Sequence, residues 1–517
     1  MYQNDAKVWE DTTNSMKQYI AKLEKRIKDL TEDEIPAMIL ADFYKLSHRI
    51  QYPKGTQVVY STWTPRTSRI KGVEKIVVFG HQAFIKKYLI KFFNNHFFGR
   101  PKEEIISEYK RIITHTLGVQ NPETKHIEDL HDLGYLPLKI KSLPEGSVSP
   151  IRVPVLTIQN TDPGFFWLTN YIETLASCSL WQASTSATIS NQYRQMLERY
   201  ARETVGNIDF VQFQGHDFSF RGMSSVESAV SSGMGHLTSF VGTDTIPAIH
   251  GIEVYYNSRI EKTLIGTSIP ATEHSVECAY DEDEEYFRRI LTEIYPSGFI
   301  SIVSDGRDFW DVIVRIIPNL KDIILKRDGK VVIRPDSGDP VLILCGNPDG
   351  KTELERKGAV EALWDIFGGT VSSQGYKILD SHIGLIYGDA ITFQRAEEIC
   401  KRLKDKGFAS INVVFGIGSF TYQYNTRDTF GWALKSTHVV INGKEKNIFK
   451  DPKTDSGIKK SQKGCVAVLK DGNSFRFIDG LNLNDVVPGD QLVTIFENGK
   501  LLVDDDFVSI RNRLRSF

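Results

Sequence analysis

The stretch LIYGDAITFQRAEEICKRLKDKGFASINVVFGIGS, residues 385–419, decides the fold class. It begins and ends with a short apolar run that leads into a polar, glycine-containing segment. An amphipathic helical pattern lies between Ile391 and Gly407. A strand, a helix and a second strand in this order are typical of a parallel βαβ unit. The stretch therefore predicts an α/β fold built on a parallel sheet.

The same rhythm repeats through most of the chain between residues 205 and 420. Seven apolar runs, among them FVQFQ (210–214) and LTSFV (237–241), each lead into a polar loop. This number of repeats favours a closed βα barrel over an open sheet, and both folds place ligand sites after the strands. The loops are, in chain order, GHDFSFRG, GTDT, SIPATEHS, DGRD, DSGDP, GDA and GIGS. We predict a barrel domain over residues 205–425 with its site on the loop side.

The segments that flank the barrel have a different pattern. Residues 36–204 mix strand-like runs, such as QVVYSTW, with helical stretches, including one from Trp167 and a second near 190–204. Residues 426–517 hold three hairpins with Asn-Gly or Asp-Gly turns. We predict that these two segments form one α+β domain, whose C-terminal part is rich in strands.

An amphipathic pattern over residues 12–32, ended by Pro36, predicts a helix ahead of this domain. Only two heptads are present, so a helix packed on its own domain is favoured over a coiled coil. We interpret residues 1–35 as an N-terminal helical extension.

Composition restricts the class of protein. The chain has 517 residues, 41% of them hydrophobic and 25% charged, with a net charge of −2. This balance argues against nucleic-acid binding and against a polybasic membrane surface. The sequence shows no signal peptide and no stretch of 18 apolar residues, and its five cysteines form no CxxC pair. We expect a soluble cytoplasmic protein.

Several loops carry side chains suited to a phosphorylated sugar and a flat ring. Arg334 and Asp336 of RPDSGDP offer a planar cation and a carboxylate for ribose hydroxyls or magnesium, and Asp389 of YGDA repeats the carboxylate. His274 of PATEHS is a candidate general base or phosphoryl acceptor, and Phe218 is a candidate stacking ring. Taken singly, each also fits an ordinary structural role, such as helix capping for Asp389.

The chain carries, in this order, the motifs ADFYKLSH (41–48), QYPKGT (51–56), NTDP (160–163), WLTNYIET (167–174), HDFSFRG (216–222), GTD (242–244), PATEHS (270–275), VSD (303–305), IRPDSG (333–338), GD (388–389), TRD (426–428) and FKDP (449–452). By these motifs it resembles the nicotinamide phosphoribosyltransferase family. The resemblance implies an irregular, TIM-like βα barrel of the type II phosphoribosyltransferase kind, with a second α+β domain formed by the N- and C-terminal segments.

The resemblance also implies a role for individual residues in a homodimer with shared active sites. Nicotinamide lies between Phe218 and the partner subunit's Tyr44, with Asp244, Arg221, Arg334, Ser268 and Ser301 around it. Ribose and phosphate are held by Asp336, Gly388, Asp389, Gly418, Ser419 and by Arg427 and Lys435 of the partner subunit. Arg66, His274, Asp305 and Lys459 lie on the pyrophosphate and ATP side, and His274, Asp305 and Asp336 are the catalytic set. The chain departs from the family pattern at Ile417, Ser419, Phe420 and Ala390.

The implied reaction joins nicotinamide to 5-phosphoribosyl 1-pyrophosphate (PRPP), giving nicotinamide mononucleotide and pyrophosphate for NAD salvage. Mg²⁺ accompanies PRPP, and ATP hydrolysis is coupled through phosphorylated His274. Nicotinate phosphoribosyltransferase is an alternative, although a carboxylate at Asp244 should repel nicotinate and accept a hydrogen bond from an amide. A non-catalytic binding protein that keeps the fold is a second alternative, against which the retained polar set speaks, because folding does not require it.

Overall fold

The computed structural model describes residues 12–22, 35–449 and 462–517. Residues 12–22 are helical and exposed, in agreement with the first part of the predicted N-terminal helix. The rest of that predicted helix, up to residue 34, lies outside the described residues.

The strands of the described residues are numbered in chain order. They are β1 Thr56–Thr64, β2 Lys75–Val77, β3 Leu138–Ser142, β4 Val148–Pro150, β5 Leu156–Asn160, β6 Gly215–Asp217, β7 Gly242–Thr243, β8 Ile300–Val303, β9 Val331–Arg334, β10 Gly369–Val371, β11 Lys377–Leu379, β12 Ile383–Tyr387, β13 Val413–Ile417, β14 Ala433–Ile441, β15 Lys444–Asn447, β16 Cys465–Asp471, β17 Ser474–Leu481, β18 Val493–Glu497 and β19 Lys500–Leu501.

The longer α-helices are numbered in the same way, and shorter helical segments lie between them. The longer ones are α1 Lys102–Leu117, α2 Lys125–Leu133, α3 Glu173–Thr204, α4 Val226–Leu237, α5 Ile246–Tyr255, α6 Asp283–Arg289, α7 Ala359–Phe367, α8 Phe393–Asp405 and α9 Phe507–Arg515. The shorter α-helices are His48–Gln51, His81–Phe84, Leu168–Tyr171, His274–Glu277, Phe309–Asp311, Ile317–Asn319, Lys321–Leu325, Pro340–Cys345, Glu353–Lys357 and Ser419–Tyr422. The 3₁₀ segments are Ala37–Ile39, Phe43–Ser47, Pro163–Phe165, Asp209–Phe213, Phe220–Gly222, Ser410–Asn412 and Arg427–Thr429, and the π-helical segments are Ile85–Phe92, Asn94–Phe98, Ile290–Ile294 and Val312–Ile316. Among the residues described, none of these helices has both the length and the apolar character needed to cross a membrane.

A six-stranded parallel sheet forms the barrel, in the order β7-β6-β13-β12-β9-β8. Parallel bridges from Gly242 to Thr267 and from Ala271 to Ser301 connect its two edges through the segment 267–271. The sheet therefore curls into an irregular closed barrel, which confirms the predicted fold class. The stretch of residues 385–419 contains the end of β12, the helix α8 and the strand β13, which form the predicted βαβ unit.

Two of the predicted barrel strands were placed wrongly. FVQFQ forms the 3₁₀ segment Asp209–Phe213, and LTSFV starts at the last residue of α4. The strands begin a few residues later, at Gly215 and Gly242. Val211 and Phe240, one from each run, are buried in the hydrophobic core, and neither residue belongs to a strand.

The second domain is built around an antiparallel sheet of seven strands, in the order β15-β14-β1-β5-β3-β18-β19. Its central pair, β1 and β14, joins the N- and C-terminal segments, with Trp63 opposite Leu434. All three predicted hairpins form, as β14–β15, β16–β17 and β18–β19. Asn442 and Gly443 both have positive φ, 49° and 72°, as a two-residue hairpin turn requires.

The helix α3 runs without a break for 32 residues, whereas the sequence predicted two helices. Small residues in its middle hide the apolar periodicity but allow neighbouring segments to come close. A Cβ on Gly80 would lie 2.6 Å from the Cβ of Ala183, and a Cβ on Gly235 would lie 2.7 Å from the Ala183 carbonyl oxygen. The helix spans both large cores, with Leu180 in one and Tyr193 in the other.

The C-terminal helix α9 was not predicted, because the segment around it is rich in strands. Asp506 caps it by accepting a hydrogen bond of 3.0 Å from the Ser509 amide. Its apolar residues Phe507, Ile510 and Leu514 are buried in a third core between the two domains. The helix thus contacts the barrel as well as the strand-rich domain.

Candidate active site

The loops that follow the barrel strands surround a cavity of about 1070 Å³. The polar and aromatic side chains of the cavity come directly after strands: Phe218 follows β6, Asp244 follows β7, and Asp336 follows β9. The cavity therefore brings together most of the predicted site. The predicted residues that line it are Phe218, Arg221, Asp244, Arg334, Asp336, Gly388, Asp389, Gly418 and Ser419.

A second cavity of about 460 Å³ extends from the first one into the barrel. Phe218, Asp244 and Arg334 line both cavities, so these three side chains stand at their junction. Ser268 and Ser301, both predicted as nicotinamide contacts, line the inner cavity. The junction is therefore the place where a flat ring can be enclosed on several sides.

Asp244 is the hydrogen-bond acceptor at this junction. Its Oδ1 lies 2.9 Å from Nε2 of His216 and accepts a hydrogen bond of 2.6 Å from the Ser268 hydroxyl. Burial raises the pKa of Asp244, but the hydrogen bond and charge of His216, the Ser268 hydroxyl and the charge of Arg334 outweigh it, so the pKa is lowered overall. Asp244 is consequently an anion at neutral pH.

Phe218 rests on two glycines of neighbouring strands. A Cβ on Gly416 would lie 2.4 Å from the Phe218 ring, and a Cβ on Gly388 would lie 2.9 Å from it. The amide of Phe218 also donates a hydrogen bond of 3.0 Å to the carbonyl of Ile417. Only glycine at 388 and 416 leaves space for the ring in this place.

Two donors near Asp244 have unused hydrogen-bonding capacity. Arg334 donates through Nη2 to the carbonyl of Thr272 at 2.7 Å, whereas its buried Nε has no hydrogen-bond partner among the described residues. The buried Ser301 hydroxyl has none there either. Since buried donors are normally satisfied, both groups are available to a ligand.

His274 and Asp305 form a pair at the edge of the large cavity. Nε2 of His274 lies 3.0 Å from Oδ1 of Asp305, and the Asp336 amide donates a hydrogen bond of 2.9 Å to Oδ2 of Asp305. Burial raises the pKa of Asp305, but hydrogen bonds from Ser337, the Asp336 amide and His274 outweigh it and lower the pKa overall. An ionised Asp305 orients the Nε2–H of His274 towards itself and leaves the Nδ1 lone pair as a nucleophile.

A buried carboxylate, Glu277, links the same two segments a second time. Glu277 closes the short helix that His274 begins, and its Oε2 accepts a hydrogen bond of 3.0 Å from the Gly306 amide. A Cβ on Gly306 would lie 2.4 Å from this carboxylate. Burial raises the pKa of Glu277 to about 7. The hydrogen bond between Glu277 and Gly306 thus supports the neighbouring contact between His274 and Asp305.

Asp336 and Asp389 lie close enough for their charges to interact. Burial raises the pKa of Asp336, the charge of Arg334 lowers it, and the charges of Asp305 and Asp389 raise it again, with a net upward shift. In the described part of the chain, no group of three or more acidic, histidine or cysteine side chains is arranged to hold a metal ion. Two carboxylates of this kind fit a magnesium ion that also binds substrate phosphates.

His274 and Asp305 do not line the barrel cavities themselves, and four more of the predicted residues lie away from them. Tyr44 and Arg427 line a separate cavity of about 310 Å³ in the same chain, together with Glu173. Burial lowers the pKa of Lys435, Glu173 raises it, and Arg66, Lys45 and Arg427 lower it further. Tyr44, Arg66, Arg427 and Lys435 therefore belong to one basic region away from Phe218. Lys459, which was also predicted, lies outside the described residues.

The residues at which the sequence departs from the expected family pattern follow or end the strands β12 and β13. Ile417 is buried at the end of β13, and Ser419 begins the short helix that follows. A Cβ on Gly222 would lie 2.1 Å from the Ser419 hydroxyl, so Ser419 packs against the loop after Phe218. Ala390 has a φ of 52°, which a residue with a Cβ rarely adopts.

Sequence reasoning missed three residues of the site. His216 lies in the loop GHDFSFRG, where nothing in the sequence distinguishes it from a structural histidine. Gly416 belongs to the glycine-containing stretch FGIGS (415–419). Nothing in this stretch indicates that Gly416 leaves space for the ring of Phe218. Glu277 follows PATEHS by two residues, and nothing in the pattern distinguishes it from a surface carboxylate.

Comparisons with known proteins show the family of the chain. A model of the nicotinate phosphoribosyltransferase (NAPRTase) family matches residues 213–500, and a model of the nicotinamide phosphoribosyltransferase N-terminal domain matches residues 37–140. The chain is 51% identical over 487 residues to a nicotinamide phosphoribosyltransferase of Acinetobacter baylyi, covering 92% of this chain and 96% of that protein. It is 37% identical over 438 residues to the protein of the same name from Mycoplasma pneumoniae, covering 81% and 92%.

Solved structures show the same fold at low sequence identity. A nicotinate-nucleotide pyrophosphorylase from Pyrococcus furiosus superposes with a TM-score of 0.58 at 15% identity, covering 94% of this chain and 96% of the other. Human nicotinic acid phosphoribosyltransferase superposes with a TM-score of 0.55 at 13% identity, covering 92% and 93%. The fold and the loops at the strand ends thus define a pentosyltransferase of the type II phosphoribosyltransferase class. Within that class, the chain belongs to the nicotinamide phosphoribosyltransferase family.

Proposed function

We propose that this enzyme transfers the phosphoribosyl group of PRPP to nicotinamide, releasing pyrophosphate and supplying nicotinamide mononucleotide for NAD salvage. The observation that carries the proposal is the polar set at the junction of the two cavities. Asp244 offers an anionic acceptor there. Nε of Arg334 and the hydroxyl of Ser301 are buried donors without a hydrogen-bond partner among the described residues. A carboxamide needs one acceptor and one donor of this kind, and Phe218 offers a face for its ring.

The charge of Asp244 favours nicotinamide over nicotinate. The N–H₂ of an amide donates to a carboxylate, whereas a nicotinate carboxylate has no donor and would meet a negative charge. The lowered pKa of Asp244 keeps this repulsion in place at neutral pH. This supports the nicotinamide reaction over the nicotinate alternative.

PRPP would occupy the large cavity. Asp336 and Asp389 are suited to the ribose hydroxyls and to the Mg²⁺ that accompanies the pyrophosphate, whose charge Mg²⁺ neutralises. Gly418 and Ser419, at the start of the short helix after β13, are suited to the 5′-phosphate. Gly418 and Ser419 follow β13, which pairs with the β6 strand that precedes Phe218, and Asp389 and Asp336 follow β12 and β9, the next two strands of the sheet. Both substrates would therefore meet at the junction.

The chemistry then depends on orientation and charge. The pyridine nitrogen attacks the anomeric carbon as the bond to pyrophosphate breaks, and the ribose passes through an oxocarbenium-like state. The nitrogen carries no proton, so no general base is needed. Phe218 and Asp244 hold the ring in line for attack, and the carboxylates of Asp336 and Asp389 lie near the developing positive charge.

We further propose that ATP phosphorylates His274. Its imidazole is partly exposed, and Asp305 holds the tautomer that leaves Nδ1 nucleophilic. In this step, Nδ1 attacks the terminal phosphorus of ATP and ADP leaves. Water later hydrolyses the phosphohistidine. The added charge beside the pyrophosphate side would favour the productive state.

The proposal includes a homodimer that shares its active sites. Tyr44 is 57% exposed, and it lines a cavity with Arg427 that is separate from the cavities of Phe218. Within one chain, the large cavity has Phe218 as a stacking ring but lacks Tyr44. The partner subunit's Tyr44, Arg427 and Lys435 would supply the second ring and the cations for the phosphate.

The test is product formation by the purified protein from nicotinamide and PRPP with Mg²⁺, with and without ATP, compared with nicotinate in place of nicotinamide. We expect nicotinamide mononucleotide in both ATP conditions and a higher rate with ATP. Preference for nicotinate, or no product from either base, would contradict the proposal.

A further inference from the structure

Arg511, on the C-terminal helix α9, is a buried cation whose hydrogen-bond partners among the described residues are all backbone carbonyls. Its guanidinium also lies over the ring of Phe507, 4.5 Å from the ring centroid. Its relative exposure is 7%, and no described carboxylate forms an ion pair with it. The guanidinium donates to Leu237 at 2.8 Å, Phe240 at 3.2 Å, Leu264 at 2.6 Å and Ile265 at 2.6 Å. Four such bonds from one side chain connect α9 to two separate segments of the barrel.

These two segments lead directly to the proposed nicotinamide contacts. The first runs from the end of α4 through Phe240 into β7 and ends at Asp244. The second runs through Ile265 to Ser268. After the residues that Arg511 contacts, the two segments pair with each other. The Thr267 amide donates to the Val241 carbonyl at 2.7 Å, and the Thr243 amide donates to the Thr267 carbonyl at 3.0 Å.

The hydroxyl of Ser268 then donates to Asp244 at 2.6 Å. Arg511 therefore holds the beginning of a short paired ribbon, and the two proposed nicotinamide contacts stand at its end. A second buried residue, His236, supports the same ribbon, since its Nε2 lies 2.9 Å from the Gly242 carbonyl.

Burying a charged side chain between a helix and a core costs desolvation free energy. Burial, together with the charges of Arg515 and Arg194, lowers the pKa of Arg511 to about 9. Arg511 still carries its proton at neutral pH, without an anion to neutralise it. An apolar residue would pack α9 at a lower desolvation cost. The cation is suited to fixing several carbonyls at once, because the planar guanidinium offers five donors.

We propose that Arg511 is a positioning residue for the nicotinamide side of the active site, acting through the ribbon of residues 240–244 and 264–268. It sets the separation of the two strands of this ribbon and thereby the place of Asp244 and Ser268. The inference about substrate use rests on the proposed function, in which these two residues bind nicotinamide.

The test compares Arg511→Ala and Arg511→Lys with Arg513→Ala. Arg513 lies on the same helix and contacts the Glu145 carbonyl and Asp505, but it does not touch the ribbon. Both alanine variants remove one cation from α9, so Arg513→Ala controls for looser packing of the helix. Steady-state kinetics with each substrate varied, together with thermal unfolding, are measured on all four proteins.

We expect Arg511→Ala to raise KM for nicotinamide by about tenfold and to change KM for PRPP by less than about twofold. Arg511→Lys should lie between Arg511→Ala and wild type, because an ammonium can bind only some of the carbonyls. Arg513→Ala should lower thermal stability without separating the two KM values. If Arg511→Ala does not fold, the comparison is made with Arg511→Lys alone.

Amide hydrogen exchange of the same proteins without substrate separates this inference from the proposed function. Faster exchange in segments 240–244 and 264–268 of the Arg511 variants, but not of Arg513→Ala, would support positioning even if nicotinamide is not the substrate. Equal increases in both KM values, or exchange that matches Arg513→Ala, would overturn it.

Discussion

The ring of Phe218 lies so close to Gly416 that a Cβ on the glycine would stand 2.4 Å from the ring. We predict that Gly416→Ala displaces Phe218 and raises KM for nicotinamide by about fivefold to tenfold, since one stacking face is worth on the order of 1 kcal/mol. Gly418→Ala is the matched comparison, because nothing lies within 4 Å of a Cβ there. It should leave KM for nicotinamide unchanged. A folded Gly416→Ala enzyme with wild-type affinity for nicotinamide would contradict the proposed role of the ring.

Asp244→Asn should weaken the use of nicotinamide far more than the use of PRPP. The amide keeps the size of the side chain but loses the anionic acceptor, so we expect KM for nicotinamide to rise by about tenfold or more. Asp380→Asn is the control, because Asp380 also pairs with a histidine, His382, at 2.7 Å but does not line either barrel cavity. An unchanged response to nicotinamide in Asp244→Asn would exclude the carboxylate as the amide acceptor.

His274→Ala should abolish ATP hydrolysis and the benefit of ATP, while a slower ATP-independent reaction remains. The imidazole is the proposed phosphoryl acceptor, and the transfer chemistry itself does not use it. Labelled ATP should place acid-labile phosphate on the wild type and on His382→Ala, but not on His274→Ala. Label on a serine or an aspartate in the wild type would show that the assignment is wrong.

Mixed dimers test whether the two cavities are completed across subunits. Tyr44→Ala and Phe218→Ala should each be poor as homodimers, because every site lacks one ring. In a heterodimer, one site receives both altered residues and the other keeps Tyr44 and Phe218 intact. Doubly tagged heterodimers should therefore recover up to half of the wild-type activity. Activity no higher than that of the parent homodimers, in a species shown to be dimeric, would mean that one chain completes the site.

Glu277→Gln should change how stability depends on pH. Burial raises the pKa of Glu277 to about 7 from an ordinary value of 4.5, so the native state binds the proton more tightly than the unfolded state does. Its contribution to stability is present below pH 4.5 and is lost as pH rises through 7. From pH 4.5 to pH 8, the free energy of unfolding of Glu277→Gln, relative to wild type, should rise by about 3 kcal/mol.

Urea unfolding of both proteins at several pH values measures this difference. Glu145, whose pKa burial also raises to about 7, is present in both proteins and cancels in the comparison. Parallel curves for the two proteins would show that Glu277 does not titrate in this range.

The fold could be predicted from the sequence where local patterns and tertiary structure agree. The unit β12–α8–β13 has clear strand and helix periods. The hairpin at Asn442 and Gly443 has the Asn-Gly pair that is typical of two-residue turns with positive φ. Prediction failed where packing overrides pattern. The small residues in the middle of α3 look like a break in periodicity, but they allow close contacts with Gly80 and Gly235.

The candidate site could be predicted at the residues that follow strands, because parallel strands bring their loops to one end of the barrel. Asp244 and Asp336 belong to this group. His216 and Arg511 could not be found in this way, since their partners depend on segments that meet only in three dimensions. Arg511 lies 246 residues from Ile265, whose carbonyl it binds.

The pairing of β1 with β14 has a consequence for synthesis of the chain on the ribosome. Trp63 cannot meet Leu434 until the whole barrel between them has been translated. At 5–20 residues per second, this delay is on the order of 20 to 70 seconds. During it, β1 has β5 on one side and an unpaired edge on the other. The nascent protein thus carries an open sheet edge while the barrel is completed, which makes the N-terminal half a candidate for chaperone protection until the last hundred residues emerge.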